Sequence, residues 1–112
     1  MIQMTRITIY NDIDNEIVGF RADGHADYNL SGQDVLCAAV STLVSHTIGA
    51  INEFTSDACE NIVDEINAGV SFKLTADNPS RESKVLLNAF ASSIDELAYS
   101  NPNHISITFK EV

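Results

Sequence analysis

The chain has 112 residues, with 16 Asp and Glu against six Lys and Arg and a formal charge of −10. That length suits one domain, residues 1–112, burying roughly two-thirds of its unfolded surface, and an apolar share of 45% excludes a disordered acidic tail. The acidic excess argues against a protein that wraps nucleic-acid phosphate and permits a basic partner.

Taken in chain order, residues 2–10 are β-rich, with Ile7 and Ile9 on one face. The alternation slips near Thr5–Arg6, which predicts a bulge or a late start. Asn11-Asp12-Ile13-Asp14-Asn15 is turn chemistry, because Asx side chains hydrogen-bond their own backbone. Residues 16–22 complete a hairpin, and residues 23–33 form a polar loop with Gly24 and Gly32. From Asp34 to about Ile51, Leu36, Val40, Leu43, Val44, Ile48 and Ile51 recur at helical spacing. The Ala content of this helix suits close packing on a sheet.

Residues 61–67 fit a strand or a short helix. Val70, Phe72 and Leu74 alternate with polar residues as a strand, after a turn at Asn67-Ala68-Gly69. Asn78-Pro79 predicts a second helix, with Asn as cap and Pro at its first position. Its stripe is Leu86, Leu87, Phe90, Ile94 and Leu97, and Asn101-Pro102 stops it. Ile105, Ile107 and Phe109 make a last strand. The order β-β-α-β-β-α-β predicts an α+β fold: two layers, a mainly antiparallel sheet with two helices packed on it.

No apolar run approaches the roughly 18–20 residues that cross a bilayer, and the N-terminus has no secretory pattern. Two cysteines are too few for a disulfide scaffold, so a cytoplasmic location is expected. Neither a Cys-x-x-Cys nor a His-x-x-x-His spacing occurs, so no metal site is expected. No phosphate-binding glycine loop occurs, and no cofactor is expected. Ser41 and Ser45 lack a nucleophile elbow.

The informative segment runs from Gly24 to Ser41. It sets His25 at a strand end and Cys37 in the first turn of a helix. A thiol there meets the positive end of the helix dipole and unpaired N–H groups, and both favour the reactive thiolate. The backbone N–H groups of Cys37 and Ala38 are candidate oxyanion donors. A nearby His25 would complete a Cys–His nucleophilic pair. Without further information, a cysteine on an Ala-rich helix is more often a small buried side chain. Asp34 is more often a helix cap than a catalytic group, although it can both cap and orient His25. Gly24 and Gly32 are turn residues first and lid hinges second. Cys59, flanked by Asp57 and Glu60, reads as structural or incidental. His46 lies about 13 Å along the helix from Cys37, too far to be its base. His104, at the start of the last strand, stays open as a site residue.

The run Gly24-His25-Ala26, then Gly32, then Asp34-Val35-Leu36-Cys37-Ala38-Ala39-Val40-Ser41, resembles the ribosomal-processing cysteine protease family, Prp. The His-to-Cys step matches, and so do length, acidic balance and order of elements. The resemblance implies an endopeptidase that removes the N-terminal extension of a large-subunit ribosomal protein. It maps the nucleophile to Cys37, the general base to His25 and the motif aspartate to Asp34. It also implies a homodimer, a substrate-responsive loop over residues 26–33 that includes Ala26 and Gly32, and an apolar pocket for an aromatic pair. Neither direct nucleic-acid binding nor a membrane is expected. The competing expectation is a noncatalytic acidic module that binds a basic ribosomal protein during assembly.

Overall fold

The computed structural model describes residues 4–24, 33–66 and 69–112. β1 (Thr5–Asn11) and β2 (Ile17–Asp23) form a hairpin, followed by α1 (Gln33–Phe54). A second hairpin, β3 (Cys59–Asp64) and β4 (Gly69–Leu74), precedes α2 (Arg81–Ser100) and β5 (Ile105–Glu111). The sheet order is β3-β4-β2-β1-β5, antiparallel throughout except for the parallel pair β1–β5. The predicted order and the two-layer, mainly antiparallel architecture are therefore found.

Local chemistry explains most boundaries. β1 starts late, at Thr5, and the bulge lies at the other end, between Tyr10 and Asn11. In the turn, Asp12 Oδ1 accepts from the N–H groups of Asp14 and Glu16, and Asn15 takes a left-handed φ of 62°. The ambiguous segment is a strand, because its residues pair with β4 from Cys59↔Leu74 to Asp64↔Gly69. The predicted turn at Asn67-Ala68 lies outside the described residues.

The start of α2 corrects the sequence reading. Ser80, not Asn78, is the N-cap: its Oγ accepts from the Ser83 N–H at 3.2 Å. Ser80 is itself held by Asp57, whose carboxylate accepts its backbone N–H at 3.1 Å and its hydroxyl at 2.6 Å. A partner 23 residues away thus selects the cap. At the other end Asn101 is the C-cap, its N–H donating to the Ala98 carbonyl, as the Asn-Pro pair predicts.

The inner sheet face supplies Ile7, Ile9, Phe20, Ala22, Phe72 and Leu74 to the core. α1 adds Val40, Val44, Ile48 and Ile51, and α2 adds Leu87, Phe90 and Ile94. Phe20 stacks between Phe90, at 4.1 Å between centroids, and Phe72, at 5.7 Å. Leu36, Leu43, Leu86 and Leu97 are half-buried at the margins. Phe109, expected on the apolar face of the last strand, is instead 65% exposed, on an edge strand flanked only by β1. The most extensive backbone approach of α1 is to α2 rather than to the sheet.

One sequence expectation about α1 is also corrected. Residues Val35–Phe54 have the length and mean hydropathy, 1.5, of a membrane-crossing helix. Interspersed Ala, Ser and Thr break the visible apolar runs without lowering the average far. Here one face of that helix is occupied by the protein's own core.

Candidate active site

Cys37 lies on α1 and is half-buried. α1 begins at Gln33, so Cys37 is its fifth residue, at the start of the second turn rather than in the first. In an α-helix, N–H groups from the fifth residue onward donate into the helix. The oxyanion donors expected at Cys37 and Ala38 are therefore engaged in the helix, and the donors without an intrahelical acceptor belong to the residues before Cys37. The thiol precedes Val40 and Val44 by three and seven residues, which sets it on the core-facing side of α1.

Several elements meet at this end of the molecule. The first turns of α1, through Val35, Ala38 and Ala39, share a groove of about 690 Å³ with Ser93, Glu96, Leu97 and Ser100 near the end of α2. The short turn after α2 leads into β5, whose first residue stands beside Thr5 of β1. Arg6 of β1 in turn pairs with Asp23 at the end of β2. The start of α1 and the end of β2 thus lie at one end of the sheet. The groove itself opens on the opposite face of α1 from the thiol, so it is not a pocket for the cysteine.

The β2 end is tightly defined. Gly24 has a φ of +78°, and a Cβ there would lie 2.5 Å from the Met4 carbonyl oxygen. This position requires glycine for both reasons. The next residue, His25, lies outside the described residues, with Ala26, Gly32 and the residues between them. Asp34 belongs to the backbone of α1, but its side chain lies outside the described residues.

The remaining candidates separate by position. Cys59 is half-buried against the core, with its Sγ–H donated to Asn52 Oδ1 at 3.3 Å. It bridges the start of β3 to the last turns of α1, far from Cys37. His46 is exposed on α1. His104 is half-buried beside the start of β1, where its carbonyl accepts the Thr5 N–H at 2.8 Å. It therefore stands at the same end of the sheet as Gly24. Among the described residues, no cluster of three or more His, Cys, Asp or Glu side chains is arranged to hold a metal ion.

Sequence reasoning missed one polar cluster. The Asp57 carboxylate accepts hydroxyl hydrogen bonds from both Ser80 and Ser83, and Ser83 is fully buried. These hydrogen bonds, led by Ser80 and then Ser83, hold the Asp57 pKa below the ordinary carboxylate value. The cluster ties the α1–β3 connection to the start of α2. The only sequence signal was Ser80 three residues before Ser83.

Comparison with known proteins agrees with this architecture. A ribosomal processing cysteine protease Prp from Mycoplasma genitalium is 29% identical over 86 residues, covering 77% of this chain and 82% of the relative. One from Staphylococcus aureus strain Mu50 is 23% identical over 107 residues, covering 96% and 100%. Among solved structures, the essential ribosomal processing protease Prp of S. aureus in complex with a substrate peptide superposes with a TM-score of 0.85. It is 20% identical, with 96% of this chain and 100% of that chain covered. The same protease with a covalently linked product peptide gives a TM-score of 0.83 at 21% identity, over 96% and 100%. These structures share the fold. The family model for cysteine protease Prp matches residues 4–106, and the chain belongs to that family of cysteine proteases.

Proposed function

We propose that this protein is a cytoplasmic endopeptidase that removes the N-terminal extension of a large-subunit ribosomal protein and so supports ribosome maturation. The observation that carries the reading is that the α1 start, bearing Cys37, and the β2 end, which leads to Gly24-His25, lie at the same end of the sheet. The names and the substrate-peptide and product-peptide complexes of its relatives support the substrate class.

In this mechanism the Cys37 thiolate attacks the scissile carbonyl. The C–N bond then breaks, and the His25 imidazolium gives its proton to the leaving amine. The acyl-enzyme is hydrolysed by water, whose proton returns to His25. Developing charge on the carbonyl oxygen is met by the N-terminal donors of α1. Asp34 orients His25. The protein acts as a homodimer. The molecule measures 43 × 23 × 22 Å, which leaves little depth for an enclosed cleft. A substrate-responsive loop and a second subunit are the means proposed to complete the site. Membership in a protease family favours this reading over a noncatalytic acidic module.

The test is incubation with a ribosomal protein that carries its extension, followed by product masses. One shortened product and one released peptide are expected, and neither with Cys37→Ala. An unprocessed substrate with the native enzyme would overturn the reading.

A further inference from the structure

The end of β2 carries an ion network. Asp23 uses both carboxylate oxygens: Arg6 Nε donates to Oδ1 and Arg21 Nε to Oδ2, each at 3.1 Å. Arg21 also reaches Asp64 on β3 at 3.4 Å. Burial opposes the charge on Arg21, but its bonds to Asp23 and Asp64 outweigh that and raise its pKa. Gly69 on β4 makes room, since a Cβ there would lie 2.6 Å from the guanidinium of Arg21.

Two of the six cationic side chains of a strongly acidic protein thus converge on one carboxylate. The Arg6 arm adds little to stability, since Arg6 is 65% exposed, whereas the Arg21 arm is more buried, at 26% exposed. The position of the network points to a further role. Asp23 is the last residue of β2, and Gly24 follows it, packed on Met4 in a conformation that favours glycine. The side chain of one residue and the backbone of the next together fix where the strand ends. The residue after these two is His25.

We infer that Asp23, clamped by Arg6 and Arg21, is a positioning residue for proteolysis: it fixes the strand end from which the chain continues to His25. The inference rests on His25 as the general base. Displacing a reacting group by about 1 Å costs up to ~100-fold in rate, so a modest shift of the strand end is enough to matter.

The test compares Asp23→Asn, Arg6→Gln and His25→Ala with the native enzyme on an extended ribosomal-protein peptide. Asp23→Asn is expected to lower kcat about tenfold or more with KM nearly unchanged. It should also move the midpoint of Cys37 alkylation against pH upward, toward the free-thiol value of about 8.5. Unfolded molecules titrate as a separate step at that free-thiol value and leave the native step in place, so the midpoint is read on the folded fraction and a merely structural role is separated. Arg6→Gln, which removes one exposed arm, should act in the same direction but less. If Asp23→Asn fails to fold, Arg6→Gln decides by the same two readouts. Native kcat and midpoint in the deciding variant, alongside an inactive His25→Ala, would overturn the positioning role alone. A fully active His25→Ala would overturn the catalytic reading, and the positioning role with it.

Discussion

At the scale of single residues, the two cysteines divide cleanly. Cys37 stands near the start of a long helix, at the end of the sheet where β2 terminates. Cys59 closes a contact between β3 and α1 through Asn52. Cys37→Ala should therefore abolish cleavage while thermal melting stays close to native, as read by product mass and circular dichroism. Cys59→Ala should remain active, with a stability loss of about 1 kcal/mol for the thiol and its contacts, measured by urea unfolding. Asp57 makes a pH prediction. Its pKa is lowered in the folded protein by Ser80 and Ser83. Its contribution to stability is therefore complete above the unfolded value of about 3.9 and is lost as pH falls through the lower folded value. In Asp57→Asn the Tm should drop at neutral pH and fall less steeply on acidification. An unchanged acid limb would remove Asp57 from the account.

At the scale of elements, the helices and strands follow from patterns of spacing, whereas their ends follow from partners. The stripe Leu87, Phe90 and Ile94 is periodic in the chain and buried in the fold. The cap of α2 was misplaced because Asn78-Pro79 is a good local signal, and only Asp57, contributed by the preceding connection, makes Ser80 the better one. Ser80→Ala should cost about 1–2 kcal/mol in equilibrium unfolding, the usual range for a lost cap. Gly19 is a second element-scale constraint. A Cβ there would lie 2.2 Å from the Phe72 carbonyl oxygen, so β2 and β4 must part to accept it. Its bare position also lets Lys73 lie over the Tyr10 ring at 5.8 Å across β2. Gly19→Ala is expected to destabilise by about 1–3 kcal/mol or more, in the manner of overpacking, by the same measurement.

At the scale of the whole molecule, the charge of −10 is unevenly spread. Arg6, Arg21, Lys73 and Lys110 sit on the sheet face opposite the helices, in alternation with the core residues of their strands. Only Arg81 and Lys84 remain elsewhere, so the acidic excess is concentrated away from that face. The ribosomal-protein substrate proposed above would, if basic, be attracted to such a surface, and the attraction would be screened by salt. Added salt should lower kcat/KM more than kcat in steady-state assays. A salt-independent kcat/KM would reduce the charge to a solubility role.

The chain by itself determined the order of elements, most of the core, and the place of Cys37 on a helix. Those features depend on residue spacing and local backbone chemistry, which a linear pattern carries in full. Only the tertiary structure decided that α1 starts early enough to draw the N–H groups of Cys37 and Ala38 into the helix. It alone joined Asp57 to Ser80, and Asp23 to Arg6, because side chains 23 and 17 residues apart meet only after the strands and helices have packed. It also left Phe109 exposed, since burial depends on whether a helix lies over a strand and not on the strand's own alternation.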